Sequence, residues 1–243
     1  MAIFEITHVP LSLGKSIRLV VLLPDGVDPA ECPLLYLLHG LSDDSSSWLH
    51  RTRIETYAAE HGLAVVMPDG GKSWYCNQSG ALNYYDYIAK EIPEFLMRTF
   101  RLGGDSSKRF IAGLSMGGYG AMKFALREPG AFAAAAGFSG STDPVRVATR
   151  HPAIYEAAFK TTPWAPEDDL DHLVENYPVD VPKPRLYVSC GTKDERMYCS
   201  EHLRDHARKN GFEVVWDDEP LNHCWEFWDH QIRKAIPWML EGR

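Results

Sequence analysis

The sequence predicts an α/β protein with a mostly parallel, twisted sheet and helices on both faces. Three observations carry this. Short apolar runs recur at Pro33 to Leu38, Leu63 to Met67, Phe132 to Phe138 and Arg185 to Cys190, and a strand apolar on both faces is one covered on both faces. Stretches of helical period separate them. One strand-to-helix junction, Gly113-Leu114-Ser115-Met116-Gly117, turns so sharply that only glycine fits on either side of the serine.

Size and composition agree. A chain of 243 residues, 45% hydrophobic and 24% charged, suits a single domain over residues 1–243. A net charge of -8 argues against nucleic acid or an anionic membrane as the main partner. Met1 to His8 lacks the basic and apolar regions of a signal peptide, and no apolar run is long enough to span a bilayer. Cys32, Cys76, Cys190, Cys199 and Cys224 are scattered, odd in number and without C-x-x-C spacing, which suits reduced thiols in the cytoplasm.

In chain order, alternation in Ala2 to His8 and in Ser16 to Leu23 predicts two antiparallel strands joined near Gly14. Pro24 to Pro29 is a loop, and the buried strand ending at Leu38 runs into His39-Gly40-Leu41. Asp43 to Ser47 is polar up to Trp48, without the converging oxygen ligands that a hard cation needs. A helix is expected from Thr52 to His61, ended by Gly62, and the next strand closes at Pro68 to Gly71. Gly71-Lys72-Ser73 resembles the tail of a phosphate loop, but Val66 stands where that pattern demands glycine.

The loop Ser73 to Gly80 is rich in aromatic and polar groups and suits a substrate wall or a plain surface loop equally. Asn83 to Phe100 reads as a helix kinked or restarted at Pro93. The junction serine follows the strand from Arg109, and its helix ends near Pro129-Gly130. From about 140 to 184 the alternation lapses among prolines, predicting a small helical insertion over the site. Trp48 and Trp164 are the candidate substrate-binding aromatics. After the strand ending at Cys190 comes Gly191-Thr192-Lys193-Asp194, then a helix from about Tyr198 to Lys209. Its His202 and His206 have the spacing of a zinc pair, but Leu203 replaces the glutamate of H-E-x-x-H and no third ligand is apparent. The last strand, Phe212 to Trp216, leads through Asp217 to His223 into a helix from Cys224 to Leu240.

A serine hydroxyl needs a base to take its proton and an acid to orient that base. In the α/β-hydrolase fold the order is Ser, then Asp or Glu, then His, each after a strand. Ser115, Asp194 and His223 supply that order. Glu195, Asp217 and Asp218 are rival acids; Asp217 and Asp218 share the connection of His223, and Glu195 is expected to face away from Asp194. The other nine histidines lack the position of His223 between the last strand and the last helix. The Met116 amide at a helix N-terminus and the Leu41 amide after His39-Gly40 are the candidate oxyanion-hole donors, with His39 able to orient the latter.

Leu38-His39-Gly40-Leu41, Gly113 to Gly120, Gly191 to Asp194, and Asn222-His223 with Trp225 together resemble the esterase D group of α/β-hydrolases. That group includes S-formylglutathione hydrolases, tributyrin esterases, and the acetyl-xylan and feruloyl esterases of carbohydrate esterase family one. The resemblance spans the chain and implies the same nucleophile, acid, base and oxyanion donors, with no metal or organic cofactor. It implies a serine carboxylesterase acting on acetyl, butyryl or feruloyl esters through an acyl-enzyme on Ser115. S-formylglutathione hydrolases commonly carry histidine before the serine, where this chain has Leu114. The alternatives are a thioesterase of that type or an acyltransferase, and, from another class, a noncatalytic binding protein on the same scaffold. The resemblance, with aromatics that look exposed, also prompts the expectation of a homo-oligomer.

Overall fold

The computed structural model describes residues 1–159 and 164–241. The strands are β1 (Ala2–His8), β2 (Ile17–Leu23), β3 (Leu34–Leu38), β4 (Ala64–Pro68), β5 (Arg109–Leu114), β6 (Ala134–Phe138), β7 (Arg185–Gly191) and β8 (Val214–Glu219). They form one sheet in the order β1-β2-β4-β3-β5-β6-β7-β8. β1 pairs antiparallel with β2 and β2 with β4, and every later pairing is parallel. This is the α/β-hydrolase architecture, and the parallel strands direct their C-terminal ends to one edge.

The helices are α1 (Ser47–Arg51), α2 (Ile54–Glu60), α3 (Tyr84–Asp86), α4 (Ile92–Phe100), α5 (Met116–Arg127), α6 (Pro144–Arg150), α7 (Pro152–Ala158), α8 (Leu170–Glu175), α9 (Met197–Lys209) and α10 (Trp225–Leu240). The sheet buries a separate core on each face, because successive side chains alternate sides. Leu34, Tyr36 and Leu38 of β3 join Ile111 and the Met122, Phe124 and Ala125 side chains of α5 on one face. Leu35 and Leu37 join Trp48, Ile54 and the Phe227, Ile232, Ile236 and Met239 side chains of α10 on the other. Each Leu, Ile, Phe or Met side chain among them contributes about 1.5–3 kcal/mol on burial, so α10 and the loop before it are anchored to the sheet.

Three elements differ from the sequence reading. The helix expected from Thr52 to His61 is α2, and a separate short helix, α1, precedes it; the two are divided by Thr52, which is extended (φ −134°, ψ 178°). Its Oγ1 donates to the Trp48 carbonyl and accepts from the Ile54 amide, which closes one helix and opens the next. The helix expected over 83–100 is α3 and α4 joined by a π-helical turn, Tyr87–Glu91, with Pro93 in the first turn of α4 where its missing amide costs nothing. β8 continues three residues beyond Trp216, through Asp217, Asp218 and Glu219. At this sheet edge the carboxylates remain wet, and Asp217 accepts from the Tyr187 hydroxyl at 2.8 Å and pairs with Lys234 at 2.8 Å.

The junction between β5 and α5 is set by backbone contact. A Cβ on Gly113 would stand 2.3 Å from the Gly117 carbonyl oxygen, and one on Gly117 would stand 2.4 Å from that of Leu38. No side-chain rearrangement can relieve a clash with backbone. Gly117→Ala is therefore expected to destabilise the protein by about 3 kcal/mol or to prevent folding. Gly140→Ala, whose added Cβ would approach nothing closer than 3.5 Å, should be nearly neutral. Urea midpoints measured at constant m check the pair.

Candidate active site

Ser115 occupies the turn between β5 and α5 with φ 53° and ψ −114°, a conformation that a serine adopts only under constraint. Its amide donates to the Phe138 carbonyl at 2.8 Å, and its carbonyl accepts from the Ser141 amide at 3.2 Å. The end of β6 thus braces the turn. The hydroxyl lies 3.4 Å from that of Ser141, and no hydrogen bond joins it to His223 among the described residues.

The chain beyond β7 brings Asp194 and His223 together. The Lys193 amide donates to the Leu221 carbonyl and the Thr192 amide to that of Glu219, knitting the two loops. His223 Nδ1 donates to Asp194 Oδ2 at 2.6 Å, which leaves Nε2 as the ring's acceptor. The other Asp194 oxygen accepts from the Arg196 amide at 2.9 Å and its guanidinium at 3.4 Å. Burial on its own would raise the Asp194 carboxyl. The His223 hydrogen bond and charge, with the Arg196 amide and guanidinium, outweigh it and hold the group down to about 2. Trp228 meets the His223 ring edge to face at 4.8 Å and fixes its plane.

None of the rival acids touches His223. Glu195 turns outward and pairs with Arg146 and Arg150, Asp217 is held by Tyr187 and Lys234, and Asp218 accepts from the Trp216 indole.

Beside Ser115, the His39 ring settles the following peptide. Its Nε2 accepts from the Gly70 amide at 2.8 Å, so Nδ1 carries the proton and donates to the Gly40 carbonyl at 2.7 Å. In a trans peptide that carbonyl and the Leu41 N–H point opposite ways. Neither the Leu41 nor the Met116 amide has a hydrogen-bond partner among the described residues, and a Cβ on Gly40 would lie 3.8 Å from that of Ser115.

Ser115, His223 and Leu41 face one cavity of about 500 Å³. Neither tryptophan expected to contact substrate lines it. Trp48 is 1% exposed, donates to the Leu38 carbonyl and packs behind Trp225. Trp164 stacks on Phe159 at 4.7 Å and bounds a separate cavity instead. The aromatic wall is made by Trp74, Trp225 and Trp228; Trp74 belongs to the aromatic loop that the sequence offered as a wall.

From the segment between β6 and β7 come Ser141, Asp143, Arg146, Val147, Arg150 and His151, and Arg196 adds a third guanidinium. Sequence reasoning missed all of these. Only Ser141, three residues beyond a strand end, carried a positional signal. Residues 160–163 of the expected insertion lie outside the described residues.

His202 and His206 stack on each other and pair with Asp171 and Glu175 respectively. Among the described residues no group of three or more His, Cys, Asp or Glu could hold a metal ion, and no helix is long and apolar enough to cross a membrane.

Comparison with known proteins gives four results of the same kind. The Esterase family, described as "Putative esterase", matches residues 11–239. An acetyl esterase of Caldicellulosiruptor saccharolyticus is 27% identical, the match covering 98% of each chain. The substrate-bound structure of FphF, a fluorophosphonate-binding serine hydrolase of Staphylococcus aureus, superposes with a TM-score of 0.90 at 31% identity, covering 99% of this chain and 98% of that one. An S-formylglutathione hydrolase of the same organism, FrmB, gives 0.86 at 31% identity, covering 99% of each.

The Asp194 environment carries a pH dependence. Its folded pKa of about 2 lies below the ordinary 3.8, so the stability it contributes is complete above that ordinary value and lost as pH falls toward 2. Asp194→Asn is expected to flatten the decline in urea midpoint between about pH 4 and 2 relative to the parent. A parallel decline in both proteins would contradict this.

Proposed function

The chain belongs to the esterase family and is a serine hydrolase of small acyl esters, and we propose that Ser115 is its nucleophile, His223 its base and Asp194 its acid. The observation that carries this is the 2.6 Å bond between His223 and a buried Asp194 in the cavity that holds the constrained Ser115. In the cycle, the Ser115 hydroxyl turns from Ser141 to His223 Nε2 and attacks the ester carbonyl. His223 takes the proton, and the charge left on the ring is stabilised by Asp194. The Leu41 and Met116 amides receive the oxyanion, His223 returns the proton to the leaving alcohol, and water then hydrolyses the acyl-enzyme by the same steps. No metal or organic cofactor enters this chemistry.

Acetyl, butyryl and feruloyl esters are the substrates we assign. The support is the "acetyl esterase" relative and a cavity of about 500 Å³ with an indole wall. A second reading, hydrolysis of an S-formylglutathione-type thioester, rests on the 31% identical S-formylglutathione hydrolase and on Arg146, Arg150 and Arg196, which suit an anionic thiol. The chain is treated as one domain, with residues 140–184 as a cap that shapes the pocket. Scattered cysteines support a cytoplasmic site, and a homo-oligomer is the assembly we assign; a monomeric mass by light scattering would remove it.

Short p-nitrophenyl esters, methyl ferulate, acetylated xylan and S-formylglutathione, assayed side by side, should show dominant turnover of an oxygen ester. Dominant turnover of the thioester would replace the first reading with the second. Ser115→Ala and His223→Ala should each lower kcat by about 10⁴-fold or more. Asp194→Asn should lower it by about 10⁴-fold while Asp217→Asn stays near the parent rate; the reverse order would reassign the acid.

A further inference from the structure

Trp74 and Tyr75 both have left-handed backbones, with φ 50° and 55°, a region that bulky side chains avoid. Such conformations persist where the surroundings over-determine them. Here Ser73 Oγ donates to the Gly70 carbonyl at 2.6 Å and accepts from the Tyr75 amide at 3.0 Å. Lys123, fully buried on α5, donates to the Trp74 carbonyl at 3.3 Å and pairs with Asp168 at 3.2 Å. The result of the strained turn is the aim of one ring. Tyr75 is wholly buried and wedged between α5 and the loop after β4: a Cβ on Gly120 would stand 2.5 Å from the ring, and one on Gly70 2.4 Å.

The Tyr75 hydroxyl donates to the His39 carbonyl at 2.8 Å. Burial, with the charge of Asp69 added, pushes this phenol well above its ordinary pKa, so it remains a donor throughout the working range. His39 in turn holds the Gly40 carbonyl through its ring. Two successive carbonyls, those of His39 and Gly40, are therefore tied down immediately before the Leu41 amide.

We propose that Tyr75 is a positioning residue of the oxyanion hole: by fixing the His39 backbone it keeps the Leu41 amide aimed at the tetrahedral intermediate. The strained turn serves this purpose, since the same two residues set one wall of the cavity through Trp74 and the oxyanion loop through Tyr75. The inference rests on reading Leu41 as an oxyanion donor to an adduct on Ser115.

Tyr75→Phe keeps the ring and removes one hydroxyl. Titrating active sites with a fluorophosphonate refers kcat to functional sites only. For p-nitrophenyl acetate, kcat should fall about tenfold or more, short of the loss of a whole oxyanion donor, with KM within about twofold. The rate of Ser115 phosphonylation should fall by a similar factor. Tyr85→Phe, which removes a phenol bonded to Glu128, should keep the parent values. Ser73→Ala loosens the turn while retaining the phenol, and should lower kcat in the same direction by less; it decides the matter if Tyr75→Phe does not fold. Parent kcat at titrated sites, or a change confined to KM, would overturn the role of Tyr75. If the parent Ser115 is not labelled, the nucleophile reading falls and takes the inference with it. If parent and Tyr75→Phe are labelled equally fast, the role of Tyr75 alone falls.

Discussion

The site depends on one close approach of backbone to backbone. Where α5 begins, Gly117 lies against the carbonyls of Leu38 and His39, closer than any side chain would allow. That contact fixes three things together: the turn that carries Ser115, the direction of the first amides of α5, and the end of β3 from which His39-Gly40-Leu41 departs. The sheet register continues the constraint, because Leu38 pairs with Gly113 and Leu114 with Phe138. The two candidate oxyanion amides belong to different segments, yet their spacing is set by hydrogen-bonded neighbours rather than by flexible loops. Groups held in this way need no reorganisation when charge develops on a substrate.

Much of this was legible in the residues. Glycines at 113 and 117, a serine between them, and a histidine before the last helix are local patterns with local causes, and the mostly parallel sheet is legible from the runs apolar on both faces. The choice of Asp194 over Glu195 was also accessible, since adjacent residues on a turn point apart. What could not be read is what depends on meetings between distant segments. Trp48 and Trp164 looked like substrate aromatics because tryptophan near a site often is; their burial is decided by α10 and by Tyr119 and Phe159, which no local pattern announces. Arg146 and Arg150 in the cavity wall are equally opaque, because their placement depends on how α6 lies across the sheet edge. The short β8 expected from apolar residues alone failed for a related reason: an edge strand tolerates carboxylates that partners across the sheet can neutralise.

The two ends of the cavity beside Ser115 are built differently. The elbow and the oxyanion loop rest on fully buried groups: His39, Tyr75, Lys123 and the glycine contacts. The opposite side is ionic, with Glu195 bridging Arg146 and Arg150 of α6 to Arg196, whose amide and guanidinium also hold Asp194. Exposed ion pairs of this kind hold position weakly and are screened by salt. Rigidity is therefore concentrated where the reacting carbonyl oxygen would sit, and the looser side faces the rest of the substrate.

The shared guanidinium of Arg196 has a consequence for how such a protein can change over generations. It touches the carboxylate that orients His223 and, through Glu195, the helix that walls the pocket. A substitution in α6 that admits a new alcohol or acyl group disturbs the partners of Glu195 and, one step further, those of Asp194. The link is loose, because the pairs of Glu195 are exposed and weak. A lineage can therefore alter α6 for a new substrate while Asp194 keeps the Arg196 amide and His223.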